Sequence, residues 1–489
     1  MEQFTKTIKG IKDRGAAQLF IDGDWRPSSG SNELAVVAPH NEETVLTYLE
    51  PTIADVDAAV AAARKAFDEG PWPRMTPAER STYLVKVADL LAARMPELAE
   101  AWTGQVGAVI GFTSKASYQC PGLFKFYADL CHSYPFIDER TRSSGGKVRV
   151  VQEPAGVTAC VTPWNAPMVL LIYKVAAGLA AGCTIVAKPS PETPIDAHIL
   201  AECIQAAGLP AGVFNMLPAG REVGDYLIRH PGIDKISFTG STAAGKHIAG
   251  VAAERLARVS LELGGKSAAL ILDDAKIDTV LQSLVPYSMP ITGQVCFSLT
   301  RVLVPKARKA EVIDAYTSAV SKVKVGDPFA ADTGMGPLTM QRQLDRVLGY
   351  IEKGKAEGAK LALGGGRPAD LNRGFFVEPT VFTDVDPGMT IAREEIFGPV
   401  VSFIDYDDEK DMIAKANDST YGLHGAVYTE DPERGFAIAR EYRTGSVTVN
   451  GMIVDIEMPF GGFKQSGLGR EGGIEGLETY LETKTVYFA

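Results

Sequence analysis

Between residues 157 and 262, short apolar runs alternate with helical ones, and no other stretch restricts the fold as much. VTACVT is followed by VLLIYKVAAGLAAG, TIVAKPS by IDAHILAECIQAAG, VFNMLP by GDYLIRHPG, and KISFTG by AGKHIAGVAAERL. Repeats of this length predict a parallel, doubly wound α/β sheet covered on both faces. Ligands of such sheets bind beyond the carboxyl ends of the strands. TPWN, KPSPETP and FTGSTAAG each begin where a strand is expected to end, so they are the first places to look for chemistry.

The flanking regions read more simply. Residues 17–50 suggest short strands and turns, and 53–68 repeat apolar residues at helical spacing. Thr76-Pro77-Ala78-Glu79 has the form of a helix start, with a capping threonine, proline at the first position and an acid in the first turn. It predicts one long helix to about residue 104, and 115–132 reads as helix too. From 141 the chain is extended around a Ser-Gly-Gly turn. A second αβ pattern runs from 263 to about 440, with helices expected at 308–324 and 339–357. The C-terminal TYLETKTVYFA reads as a strand whose apolar edge needs a partner.

Composition excludes some functions. Lys and Arg number 49 against 60 Asp and Glu, a net charge of −11, which argues against a general nucleic-acid binder. The apolar run 169–187 approaches the length of a membrane span, but Lys174 interrupts it and KPSPETP follows, so a buried helix and strand are expected. MEQFTKTIKGIKDRG lacks an apolar signal core. The six cysteines are scattered without a CxxC pair. Together these features predict a cytoplasmic protein with reduced thiols and no membrane contact. The six histidines make no zinc-type spacing, so no metal site is expected.

Individual residues carry less weight alone. Most lone cysteines are small buried apolar residues. A reactive one needs access and a lowered pKa, and no histidine or lysine adjoins Cys296 in GQVCFSLTR. Glu262, ending the run RVSLEL, reads either as a solvated strand-end carboxylate or as a general base. Asn165 reads as a turn former or as a donor to an oxyanion. Lys188 is a surface lysine or a ligand for ribose or phosphate. GSTAAG at 240–245 opens a helix whose first N–H groups could hold a phosphate, but it is not the G-x-G-x-x-G fingerprint.

Taken together, these segments resemble the aldehyde dehydrogenase superfamily. VTPWNAP, AAGCTIVAKPS, GLPAGVFNMLP, ISFTGSTAAG, LELGGKS, GQVCFSLTR, EEIFGPV, NDSTYGLHGAV and MPFGGFKQSGLGREGG occur in the family's order, from about Phe20 to Phe488. The resemblance implies a Rossmann-type NAD(P)-binding domain at 1–130 and 151–261. It implies an αβ catalytic domain at 262–466 and a small β oligomerisation element at 131–150 and 467–489. The family assembles as homodimers or homotetramers.

The implied reaction is oxidation of an aldehyde. The Cys296 thiolate attacks the aldehyde carbon, and the oxyanion is held by the Asn165 amide and the Cys296 backbone N–H. Hydride leaves for the nicotinamide, Glu262 activates the water that hydrolyses the thioester, and Lys174 assists proton relay. By the same resemblance, Lys188, Trp164, Gly240, Ser241, Gly245, Glu395, Phe397 and Gln343 surround the cofactor, with Arg346 beside them.

Two departures from the family pattern bear on specificity. Three residues after Lys188, many NAD-preferring members carry a glutamate that repels a 2′-phosphate. This chain has Pro191, which leaves NADP use open beside NAD unless Glu192 swings in. After Asn165 many members carry a large aromatic, whereas here Ala166 follows. With Leu170, Tyr173, Phe297 and Phe460 lining the tunnel and no basic residue among them, apolar aldehydes, aromatic or medium-chain, are expected. Two other functions compete with this reading. One is a CoA-acylating aldehyde dehydrogenase, against which Glu262 argues. The other is a non-catalytic binding or structural protein on the same scaffold, against which the retention of Cys296, Glu262 and Asn165 argues.

Overall fold

The alternating stretch forms five parallel strands of an eight-stranded sheet. The sheet order is Gly467–Leu468, Arg258–Glu262, Lys235–Thr239, Val157–Val161, Thr184–Lys188, Phe214–Met216, Ala17–Ile21, Asp24–Pro27. The computed structural model describes residues 1–15 and 17–488. Ala16 and Ala489 lie outside them, the latter being the last residue of the expected C-terminal strand.

Val157–Val161, Thr184–Lys188 and Lys235–Thr239 are buried at every position, as strands covered on both faces must be. On one face the apolar sides of Ile53–Asp68, Arg221–Arg229 and Thr242–Glu254 pack on Val157, Val161 and Ile236. The other face takes Pro77–Ala93, Gln119–Ser133, Pro167–Ala181 and Ile195–Ala207. Pro167 opens its helix at the first position and Gly182 closes it at φ 97°, a left-handed cap that glycine adopts without strain. Within that helix Leu171, Ile172, Val175 and Leu179 are fully buried, each such side chain stabilising the fold by about 1.5–3 kcal/mol.

A second, seven-stranded sheet has the order Lys360–Leu363, Thr380–Thr383, Val400–Tyr406, Arg301–Pro305, Ala268–Ile271, His424–Tyr428, Ser446–Val449. Only Lys360–Leu363 is antiparallel to its neighbour. A third sheet sets Leu481–Tyr487 antiparallel to Lys147–Pro154, with Ile137–Thr141 on the far side. Ile137 and Tyr487 are exposed on its two outer strands. Gly467–Leu468, by contrast, pairs with Arg258–Glu262 in the large sheet.

Some helix boundaries differ from expectation. The long helix expected to residue 104 is two helices, Pro77–Ala93 and Met95–Val106. Pro96 lacks an N–H, and its ring collides with the carbonyl four residues back, so Arg94 leaves helical geometry at φ −110°, ψ 13°. The capping box at the start forms as expected: Thr76 N–H donates to Glu79 at 2.7 Å and Glu79 N–H to Thr76 Oγ1 at 3.3 Å. The helix expected at 115–132 breaks at Ser117–Tyr118 into Ile110–Ala116 and Gln119–Ser133. Residues Glu2–Asp13 form a further helix, whose Phe4, Ile8 and Ile11 are buried. No described helix is long and apolar enough to cross a membrane, and among the described residues no three potential metal ligands cluster.

Candidate active site

In the large sheet, chain order reverses between Val157–Val161 and Lys235–Thr239, whose strands are neighbours though two others separate them in sequence. A crevice opens beyond the strand ends at such a reversal. Trp164, Asn165 and Ala166 leave the first strand, Gly240 and Ser241 leave the second, and Glu262 ends the strand beside it. Cys296 approaches from the other side, on the turn that leads into Arg301–Pro305 of the second sheet.

The Cys296 turn is held in an unusual backbone path. Ile291, Thr292 and Gly293 are all left-handed, at φ 48°, 57° and 72°, a conformation costly for a β-branched residue. Thr292 Oγ1 donates to the Gly336 carbonyl at 2.9 Å, and Ser298 N–H and Oγ both donate to the Val295 carbonyl. Asn165 Nδ2 donates to the Gln294 carbonyl at 2.9 Å, two residues before Cys296, while Trp102 Nε1 holds the Asn165 carbonyl at 2.9 Å. A side-chain amide carries two N–H donors, so one orients Asn165 and a second remains.

Gly264 and Gly265 bring the end of the Glu262 strand against this turn. A Cβ at Gly265 would lie far inside van der Waals contact with the Cys296 carbonyl oxygen, and one at Gly264 would strike the Glu395 carboxylate. Cys296 is the one cysteine of the six that is not fully buried. Burial pushes its thiol up, and the Glu395 and Glu262 carboxylates add to the rise, while the Cys296 and Phe297 amides oppose it.

Glu262 is 3% exposed, and among the described residues neither carboxylate oxygen has a hydrogen-bond partner. Burial holds its carboxyl well above the usual range, and nearby Glu471 raises it further against Lys174 and Arg470. Lys174, fully buried in Pro167–Ala181, forms an ion pair with Glu471 and donates to Thr239 Oγ1 at 2.7 Å. Glu471 is itself bridged to Phe460, each backbone N–H donating to the other's carbonyl at 2.7 and 2.8 Å. Glu471 and an expected tunnel residue therefore share one backbone register.

The residues expected around a cofactor lie along the crevice. Lys188 Nζ donates to the Ala219 and Pro189 carbonyls at 2.6 and 3.2 Å, and burial brings it down to about 8. Ser241 caps Thr242–Glu254, accepting from Ala244 N–H at 3.3 Å. Gly240 and Gly245 serve close packing, since a Cβ would meet Phe238 and Leu263 respectively. Glu395 accepts from Gly265 N–H at 3.1 Å, and burial pushes its carboxyl up to about 7. Phe397, left-handed at φ 61°, meets Trp164 edge-on at 5.4 Å. Gln343 and Arg346 stand behind this segment: Gln343 Nε2 donates to the Phe397 carbonyl at 2.6 Å and Arg346 to the Glu395 carbonyl at 2.6 Å. Glu192 is held by Arg342 and Ser190.

Phe297 packs edge-on against Phe460 at 6.2 Å and meets His424 at a tilt of 55° and 6.3 Å. Ala166, Phe297 and Ile456 flank the same apolar cluster as buried Tyr173. Leu170 is half-buried in the first turn of Pro167–Ala181, the helix that follows Asn165. Sequence reasoning assigned no role to Trp102, Gln294, Lys266, His424 or Glu471. The last lay inside the GLGREGG segment, where its acidity among glycines was the available signal. Burial lowers Lys266 to about 7, with Arg301 adding to the fall against Glu395.

Comparison with known proteins places the chain as a whole. The model of the Aldehyde dehydrogenase family matches residues 25–486. A geranial dehydrogenase of Castellaniella defragrans is 42% identical over 96% of this chain and 98% of its own. An aldehyde dehydrogenase of Mycobacterium tuberculosis, crystallised with NAD+, superposes with a TM-score of 0.94 at 43% identity, covering 96% of this chain and 98% of that one. A mutant of aldehyde dehydrogenase C from Pseudomonas syringae, in complex with NAD+ and octanal, has a TM-score of 0.93 at 39% identity, with 97% of each chain covered. Matched over nearly its whole length in sequence and in fold, the chain belongs to the aldehyde dehydrogenase family.

Proposed function

We propose that this aldehyde dehydrogenase oxidises apolar aldehydes, aromatic or medium-chain, to carboxylic acids, with NAD as hydride acceptor and Cys296 as nucleophile. The observation that carries the hydrolytic outcome is Glu262, a buried carboxylate with no hydrogen-bond partner among the described residues and a raised proton affinity. Such a group is a stronger base than a solvated carboxylate and is free to take a proton from water or thiol.

The residues present fit a dinucleotide. A thirteen-residue helix begins at Ser241, and its first N–H groups suit a pyrophosphate. Buried Lys188 and half-buried Glu395 suit ribose hydroxyls, and Gly264 leaves the space beside the Glu395 carboxylate clear. When bound, the nicotinamide accepts the hydride that turns the thiohemiacetal into a thioester.

The chain's own groups account for the remaining steps. Cys296 loses its proton to solvent, and the thiolate attacks the carbonyl carbon. The free N–H of Asn165 and the Cys296 amide hold the oxyanion, and one such donor is worth roughly 3–4 kcal/mol. Glu262 then deprotonates the water that attacks the thioester. The Glu471–Lys174 pair, whose charges act on Glu262, receives the proton in this reading.

The apolar preference rests on Phe297, Phe460, Tyr173, Leu170 and Ala166, and on relatives named for geranial and crystallised with octanal. We also infer the division into cofactor, catalytic and small oligomerisation parts given above. Self-association would run through the sheet that exposes Ile137, Val486 and Tyr487. An aldehyde panel read as NADH and free acid tests the substrate reading. Octanal and benzaldehyde should outperform succinic semialdehyde in kcat/KM, and the reverse order or an acyl-CoA product would overturn it.

A further inference from the structure

Replacing an acid by Pro191 removes a carboxylate from the loop after Lys188, yet Lys188 is not left in a carboxylate-free setting. Its charge is influenced first by Glu192 and then by Glu50, neither of which is three residues downstream of it. Glu50 follows the strand Glu43–Leu49. It accepts from Gly220 N–H at 2.7 Å through Oε1 and from Asn32 Nδ2 at 2.8 Å through Oε2. The residue before Gly220 is Ala219, whose carbonyl accepts from Lys188 Nζ at 2.6 Å. A single peptide unit thus joins the Glu50 carboxylate to the Lys188 ammonium.

The same strand fixes the loop that carries the proline. Tyr48, 4% exposed, donates its hydroxyl to the Pro191 carbonyl at 2.9 Å. Glu192, next along, is held by Ser190 and by Arg342, which neutralises that cation toward any incoming anion. Two carbonyls therefore take two of the three Lys188 donors, with the Glu192 and Glu50 charges nearby. Arg221 beside Gly220 is exposed, so solvent and salt screen its charge.

We propose that Glu50, with Glu192, makes the adenosine-ribose site prefer a free 2′-hydroxyl over a 2′-phosphate, standing in for the carboxylate that Pro191 replaces. The proposal rests on the NAD reading above. It reverses the expectation that the proline leaves the site open to NADP. A carboxylate this near a doubly charged phosphate repels it, whereas a hydroxyl can donate to it.

Titration calorimetry of the full-length protein with ADP and with its 2′-phosphorylated counterpart, adenosine 2′-phosphate 5′-diphosphate (the bisphosphate, phosphorylated at 2′ and 5′), tests this without turnover. Wild type is expected to bind ADP at least about tenfold more tightly. Glu50→Gln keeps an acceptor for Gly220 N–H and removes the charge. It should shrink the ADP-to-bisphosphate ratio by about five- to tenfold, and Glu192→Gln should shrink it further. A purely structural role for Glu50 would weaken both ligands equally and leave the ratio unchanged, which overturns the proposal. Equal or tighter binding of the bisphosphate by wild type overturns it too, with the NAD reading intact. If ADP itself does not bind, the cofactor reading and the proposal fall together.

Discussion

Gly265 lies so close to the Cys296 carbonyl oxygen that no side chain fits between them. The strand that ends in Glu262 and the turn that carries the nucleophile are therefore in backbone contact. Gly265→Ala should force the turn away from Asn165. A displacement of this order costs about 10²-fold in rate. Steady-state kinetics with octanal would show it as a fall in kcat, and the thermal midpoint measured alongside separates misplacement from unfolding.

Acylation and deacylation should come apart by mutation. Cys296→Ala is expected to abolish NADH formation. Glu262→Gln should slow turnover by about 10²–10³-fold. In rapid mixing the Glu262→Gln enzyme should trap acyl-enzyme, detectable by mass spectrometry as an adduct on Cys296. Unchanged steady-state turnover would remove Glu262 from the mechanism.

The Lys174–Glu471 pair is buried, so its two halves should be worth more together than singly. Lys174→Met leaves a carboxylate unpaired in the core, a change that typically destabilises by about 3–5 kcal/mol. The double variant Lys174→Met, Glu471→Leu should recover much of that stability without recovering kcat. Chemical denaturation of the three variants, read beside their activity, checks both halves of the statement.

Asp196, in the helix Ile195–Ala207, is 1% exposed with neither oxygen hydrogen-bonded among the described residues. Burial pushes its carboxyl up to about 8, against the Met168 amide and the Gln105 side chain. Its folded-state pKa therefore exceeds its unfolded value of 3.8. The folded state holds this proton more tightly. The contribution to stability is complete below the unfolded value and declines as pH rises toward 8. Asp196→Asn should raise the melting midpoint by about 2–5 °C at pH 8 and by little at pH 4. Differential scanning fluorimetry across that range would show the divergence, and parallel curves would refute it.

Much of the fold was readable because parallel strands buried on both faces leave long apolar runs, and the helices between them end in glycine or begin at proline. The break at Pro96 was readable in principle, but the alanine-rich flanks masked it. The helix Glu2–Asp13 was missed because its buried face comes to only a few residues, Phe4, Ile8 and Ile11 among them. At the site, Cys296, Glu262 and Asn165 gained meaning only from the order of the segments around them. Gln294, Trp102, Glu471 and Glu50 act through partners 129, 63, 297 and 170 residues away, and no local pattern encodes such a pairing.

The ion pair between Lys174 and Glu471 spans most of the polypeptide. A ribosome that has released Cys296, Asn165 and Glu262 has yet to deliver the acid that pairs with Lys174. A chain ending just before Glu471 would carry the nucleophile and its base, yet it would hold an uncompensated ammonium in its interior and leave Phe460 without its backbone partner. Premature termination near the carboxyl end should therefore yield unstable protein that the cell clears, and not a partly active enzyme that could consume aldehyde without releasing acid.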